Sequence, residues 1–322
     1  MSEFSKPTIV VSKCLEFAPV RYNGMVIPDR FVRELKEHVD FIPVCPEVEI
    51  GLGVPRKPIR IVDYGEGLRL IQPETGADFT EKMEEFSERF LSGLPEVDGF
   101  IMKSRSPSSG IKDVKIYPGL EKVAATGKGP GFFGGKIIEK FAPMAIEDEG
   151  RLTNFELREA FLTRVFTHAD FRRVKRSGKM KDLVAFQAAS KLLLMAYNQK
   201  EMKELGRITA NREKKGFAEV AEEYEEHLNL AMAKTPRKTS IINVLMHAMG
   251  YFKRELTAKE KAYFLDLMEK YRKGNLPLSS LQSVLYGWIV KYENEYLETQ
   301  TFFRPFPEGL VLTRDSGKGV QK

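Results

Sequence analysis

The sequence is poor in the residues that build disulfide frameworks and metal cages. Its 322 residues include 2 cysteines, 4 histidines and 1 tryptophan. Two cysteines, Cys14 and Cys45, exclude a disulfide scaffold and any metal site made from thiolates of this chain alone. No apolar run approaches the ~18 residues of a membrane span, which excludes a spanning helix. The start, Met1–Lys6, is polar, and the apolar stretch Thr8–Ser12 is too short for a signal peptide, so the expected compartment is the cytoplasm. A phosphate loop, a His-Glu-x-x-His helix and a Gly-x-Ser-x-Gly elbow are all missing. What is there is ordinary globular composition, 42% hydrophobic and 30% charged, which argues against global disorder. The length suits two domains or one large one.

Charge is unevenly spread. Residues 1–150 carry 20 Lys and Arg against 24 Asp and Glu, whereas residues 151–322 carry 31 against 21. The second half is clearly basic, which points to a polyanionic partner or to long helices with solvated lysine faces.

Texture changes near residue 150. Before it, Thr8–Ser12, Phe41–Cys45, Ile59–Tyr64, Leu68–Gln72 and Gly99–Lys103 read as short strands rich in Val and Ile. Between them Pro28–Val39 and Phe79–Leu91 have helical spacing, and this succession predicts an α/β layer fold. Beyond it, Asn154 is the expected N-cap of a helix to Arg164. Leu183–Tyr197, Gly216–Met232, Thr239–Lys253, Thr257–Lys273 and Leu278–Glu298 follow with apolar residues at i, i+3 and i+4. The expected division is an α/β domain over 1–148 and an all-α bundle over 149–322, with a frayed tail after Pro307. His247 and Trp288 fall on apolar helix faces and are read as core, as are Phe302, Phe303 and Phe306; His168 is ambiguous.

Three segments of the first half place reactive side chains just past strands. They are V-S-K-C-L with P-V-R-Y-N-G at 11–24, V-C-P-E with G-L-G-V-P-R at 44–56, and K-S-R-S-P-S-S-G at 103–110. α/β folds put their chemistry at strand ends, and small residues leave backbone N–H groups free to face an anion or sulfide. From spacing alone, the cysteines serve equally well as buried core, Glu47 as a surface charge and the serine loop as an ordinary turn. Lys128–Gly135 (KGPGFFGG) fits no dinucleotide fingerprint and reads better as a flexible connector than as a close backbone approach.

Together these three segments resemble the thiouracil desulfurase family over roughly residues 7–145. L-M-H-A-M-G-Y-F-K at 245–253, the E-K…Y-R-K-G run at 260–274 and Y-L-E-T-Q at 296–300 resemble the YbgA-type domain. The fused arrangement resembles the tRNA 4-thiouridine desulfidases. The resemblance implies non-redox removal of sulfur from 4-thiouridine in tRNA by the open iron of a three-cysteine [4Fe–4S] iron-sulfur cluster. Carried over residue by residue, Cys14 and Cys45 match two ligands, Glu47 the acid/base carboxylate and Ser106 the assisting serine. The third ligand position is Ser109, a harder and more basic donor than a thiolate. The implied partner is tRNA, with no membrane and no protein partner. Its expected contacts are Arg172, Arg173, Lys175 and Arg176, with Arg21 and Arg56 nearer the pocket. Two other functions compete: desulfuration of free thiouracil, and an RNA-binding protein that has lost cluster and catalysis, which Ser109 favours.

Overall fold

The computed structural model describes residues 4–121 and 123–311. In chain order the first part holds β1 (Thr8–Ser12), α1 (Arg30–Leu35), β2 (Asp40–Val44), α2 (Pro46–Glu49), β3 (Arg60–Asp63), β4 (Leu68–Gln72) and β5 (Ala77–Asp78). Next come α3 (Thr80–Ser92), β6 (Gly99–Met102), β7 (Val114–Tyr117), β8 (Gly127–Gly129), α4 (Phe132–Phe141) and β9 (Ala145–Asp148). A parallel sheet runs β2-β1-β6-β9, and a mixed sheet runs β5-β4-β3-β7-β8.

Strand β1 is central to the parallel sheet, and its Ile9, Val10 and Val11 are wholly buried, as the β-branched run requires. One core joins these strands to Met83, Phe86 and Leu91 of α3 and to Phe133 and Ile137 of α4. The Phe86 and Phe133 rings lie 5.9 Å apart, and each buried Phe contributes about 1.5–3 kcal/mol. α1 is capped by Asp29, whose carboxylate accepts from the Val32 amide at 2.9 Å.

The rest is helical: α5 (Phe155–Ser177), α6 (Met180–Tyr197), α7 (Gln199–Ala210), α8 (Phe217–Met232), α9 (Lys238–Gly250), α10 (Ala258–Arg272), α11 (Leu278–Lys291) and α12 (Glu295–Glu298). Among the described residues, compactness sets those up to Ala169, together with those from Pro307 onward, apart from residues 170–306, a boundary that falls inside α5. In the second unit α6 feeds two cores, Leu192 and Leu193 entering one and Leu183, Phe186 and Leu194 the other. Its Gln187 is satisfied by the Tyr224 hydroxyl at 2.6 Å and the Met202 carbonyl. Phe302, Phe303 and Phe306 are buried, as expected.

Some expectations need correcting. α5 continues past Arg164 to Ser177, because Val165, Phe166, Ala169, Phe171 and Val174 keep an apolar face buried through the charged stretch. The helix expected over 278–298 breaks at Tyr292–Asn294, where Glu293 is left-handed (φ 51°) and Asn294 caps α12. His247 is exposed rather than core, since the buried stripe of α9 runs through Val244, Leu245 and Ala248. His168 is buried, and burial together with Arg164 pushes its imidazole down to about 3, so it is a neutral core residue. Pro307–Val311 includes a short helical turn with Leu310 buried; residues 312–322 of the expected frayed tail lie outside the described residues. Among the described residues no helix is long and apolar enough to cross a membrane.

Candidate active site

The carboxyl ends of the parallel strands carry the residues expected to do chemistry. Ser12 of β1 pairs with Val44 of β2, so Cys14 and Cys45 follow neighbouring strand ends. Pro46 then opens α2 at the one place where a missing N–H costs nothing. Cys45 Sγ lies 3.8 Å from the Val20 carbonyl and 4.0 Å from Arg56 Nη2. Burial pushes the Cys14 thiol up to about 12, and the neighbouring Cys45 and Glu149 add to the effect against Lys103 and Arg21. Burial also raises Cys45, beyond what the Val48 amide and Arg56 offset.

The two oxygens of Glu47 have different partners. Arg56 Nε and Nη2 both reach Oε2 at 2.8 Å, and its Nη1 donates to the carbonyls of Val20 (2.9 Å) and Gly53 (3.1 Å). Oε1 accepts from Ser108 Oγ at 2.8 Å and from Ser106 Oγ at 3.5 Å. The Ser106 and Ser108 hydroxyls are 2.9 Å apart, and Ser109 Oγ lies 3.5 Å from Ser108 Oγ. A ladder of hydroxyls therefore ends on one carboxylate oxygen while a guanidinium fork fixes the other.

The serine loop is held from both sides. At its start, Lys103 Nζ contacts Glu149, and the Ser104 amide and hydroxyl each donate to that carboxylate at 2.7 Å. Beyond it, the amides of Gly131, Phe132 and Gly134 at the start of α4 donate to the carbonyls of Gly110, Pro107 and Ser108, at 2.7, 3.1 and 3.0 Å. A Cβ on Gly131 would come within 2.5 Å of the Ser108 oxygen, and one on Gly134 would overlap the Gly110 carbonyl. KGPGFFGG is thus a close backbone approach and not a connector. With the loop's carbonyls turned to α4, the Ser106 and Ser108 hydroxyls face Glu47.

Of the expected residues, Cys14, Cys45, Glu47, Ser106 and Ser109 gather at this edge. Arg56 is there too, but its side chain is 6% exposed and committed to Glu47. Arg21 is half-buried, with its guanidinium 5.5 Å from the Tyr22 ring centroid. In the helical unit Arg173 and Arg176 are exposed, Arg172 is half-buried and Lys175 pairs with Glu225 at 2.8 Å; all four also interact within the protein. Farther along, Lys215 meets Glu213, Glu219 and Glu223, and Arg207 meets Glu204, so these two basic residues are already paired with carboxylates. Sequence reasoning missed Ser108, the serine closest to Glu47, and the anchor Glu149. Three serines within four residues give no sign of which one faces the carboxylate.

Among the described residues no group of three or more His, Cys, Asp and Glu is arranged to hold a metal ion. The donors at the edge are two thiols and the buried Ser109 hydroxyl, one thiolate short of the three-cysteine set. A cluster bound here would be gripped by two sulfurs and an oxygen, a weaker set for soft iron than three thiolates.

A family model described as 2-thiouracil desulfurase matches residues 9–149, and one described as a protein of unknown function (DUF1722) matches residues 191–307. The uncharacterized protein YbgA of Escherichia coli (strain K12) is 25% identical over 161 residues, spanning 49% of this chain and 95% of that protein. The uncharacterized protein YbbK of Bacillus subtilis (strain 168) is 32% identical over 109 residues, spanning 32% of this chain and 72% of that protein. Among solved structures, the [4Fe-4S]-dependent thiouracil desulfidase TudS shares 28% identity. That match covers 48% of this chain and 97% of TudS, with a TM-score of 0.38.

Proposed function

We propose, from the premise that the chain belongs to the 2-thiouracil desulfurase family, that it replaces the sulfur of 4-thiouridine in tRNA with oxygen. The observation that carries this reading is Glu47 poised between Arg56 and two serine hydroxyls, beside two adjacent thiols. The reaction is a hydrolysis: C=S and water give C=O and hydrogen sulfide, with no change of oxidation state. Arg56 holds Oε2, which leaves Oε1 of Glu47 to take the proton of the attacking water. Ser108 and Ser106, bonded to Oε1 and to each other, form the path along which that proton returns to the departing sulfur. A cluster held by Cys14, Cys45 and Ser109 Oγ would supply an iron that takes thiocarbonyl sulfur as a soft ligand. Both cysteines are free, which suits the reducing cytoplasm.

The test is sulfide release from 4-thiouridine-containing tRNA by anaerobically reconstituted protein, with free thiouracil as the competing substrate. Faster release from the free base would transfer the assignment to the small molecule. A second reading, RNA binding without turnover, is favoured by Ser109, and iron and acid-labile sulfide analysis separates it from the first. We expect Ser109→Cys to retain more iron per chain than the wild type; equal iron in the two proteins would remove Ser109 from the ligand set.

The RNA half of the reading rests on the excess of basic residues after residue 150. Neutralising Arg172, Arg173, Lys175 and Arg176 together is expected to weaken tRNA binding and flatten its salt dependence, because fewer counterions are released. Iron content stays constant in that variant. A binding titration with an unchanged salt slope returns the cluster to ordinary helix surface.

A further inference from the structure

The segment between Cys14 and α1 forms a loop closed at its base, where Leu15 bridges Ile27 and the Ile27 amide donates to the Cys14 carbonyl at 2.8 Å. At its tip the chain turns through Gly24, which sits in the left-handed region (φ 72°). A Cβ on Gly24 would lie 3.9 Å from Val54 Cγ1, so the tip rests against the 51–56 loop. The Arg56 amide donates to the Tyr22 carbonyl at 2.8 Å, and the Arg56 guanidinium holds the Val20 carbonyl and Glu47. The rim and the reacting carboxylate are therefore fastened by one residue.

This rim is apolar where it meets solvent: Tyr22 is 44% exposed, Met25 57%, Val26 38% and Val54 41%. Arg21 lies against the Tyr22 ring, its guanidinium 5.5 Å from the ring centroid. We infer that Tyr22, Met25 and Val54 form a stacking platform for a nucleobase of single-stranded RNA, with Arg21 meeting the adjoining phosphate. The inference rests on the desulfidase reading of the same site and adds the residues that would hold the target pyrimidine. An aromatic ring, a thioether and a cation together match the flat face and charged backbone of a nucleotide. Four exposed side chains fall far short of the roughly 20–30 residues a side of a stable protein interface, which argues against a protein occupant.

The probe is a short single-stranded oligoribonucleotide with one 4-thiouridine, a base that cross-links to neighbouring side chains under near-ultraviolet light. Cross-linked peptides are expected from residues 19–27 or 53–56. Tyr22→Ala should raise the Kd for this oligonucleotide about 10-fold, within the range of one lost stacking contact, and Tyr22→Phe should restore it. Cross-links confined to other peptides, or an unchanged Kd in Tyr22→Ala, overturn the platform. Cross-linking at the rim with no sulfide released refutes the desulfidase reading and leaves the platform standing. Sulfide release with cross-links elsewhere does the reverse.

Discussion

Glu47→Gln is expected to lower sulfide release by about 10²–10⁴-fold, the usual contribution of a positioned general base. Glutamine has nearly the shape of glutamate, and its amide oxygen still accepts from either Arg56 or the serines. It has no carboxylate to take the proton of water, and its NH₂ must face one of two donor groups. Arg56 and the Ser108 hydroxyl both point hydrogens at this side chain, at 2.8 Å each, so one of them loses its acceptor. Single-turnover release from thiolated tRNA, with iron measured on the same sample, isolates the proton step from cofactor loss. Near-normal turnover would show that Glu47 carries no proton.

Arg56→Met is expected to destabilise the fold by about 3 kcal/mol, because it strands a mostly buried carboxylate without its counter-charge. At 2–4 °C per kcal/mol for a domain of this size, Tm falls by roughly 6–12 °C. The Glu47 side chain is 13% exposed and the Arg56 side chain 6%, so water does little to replace the lost partner. The Val20 and Gly53 carbonyls lose a donor as well. Arg56→Lys should recover little of the loss, since an ammonium cannot span Glu47 and both carbonyls as a fork does. Removing both members in Arg56→Met/Glu47→Gln should cost less than the single arginine change. A thermal melt of Arg56→Met within 2 °C of wild type would mean the pair is solvated and dispensable.

Sequence legibility followed hydrophobic pattern. β1 and β4 were readable to the residue because both are short apolar runs. β8, with the sequence GKG, has no apolar residue, and β9, AIED, ends in acids, so neither announces itself. Both exist because a neighbouring strand offers a ladder, which no local pattern records. The three strand-end segments showed which loops matter but not their wiring. Ser104 and Glu149 meet across 45 residues, and the Glu47–Ser108 bond spans 61. Arg56 was legible as a basic residue near the pocket; that its charge faces inward depends on the Val20 and Gly53 carbonyls, which only the folded loops bring together.

The way α4 grips the serine loop limits how this candidate site can be rebuilt. Residues 106–110 and 131–134 touch backbone to backbone, amide against carbonyl, with no side chain between them to absorb a change. A library that varies the serines while keeping the glycines samples side-chain chemistry on a constant frame. A library that varies the glycines samples mostly unfolded protein. Grafting the loop onto another scaffold therefore means moving the start of the helix with it, as a single two-piece cassette.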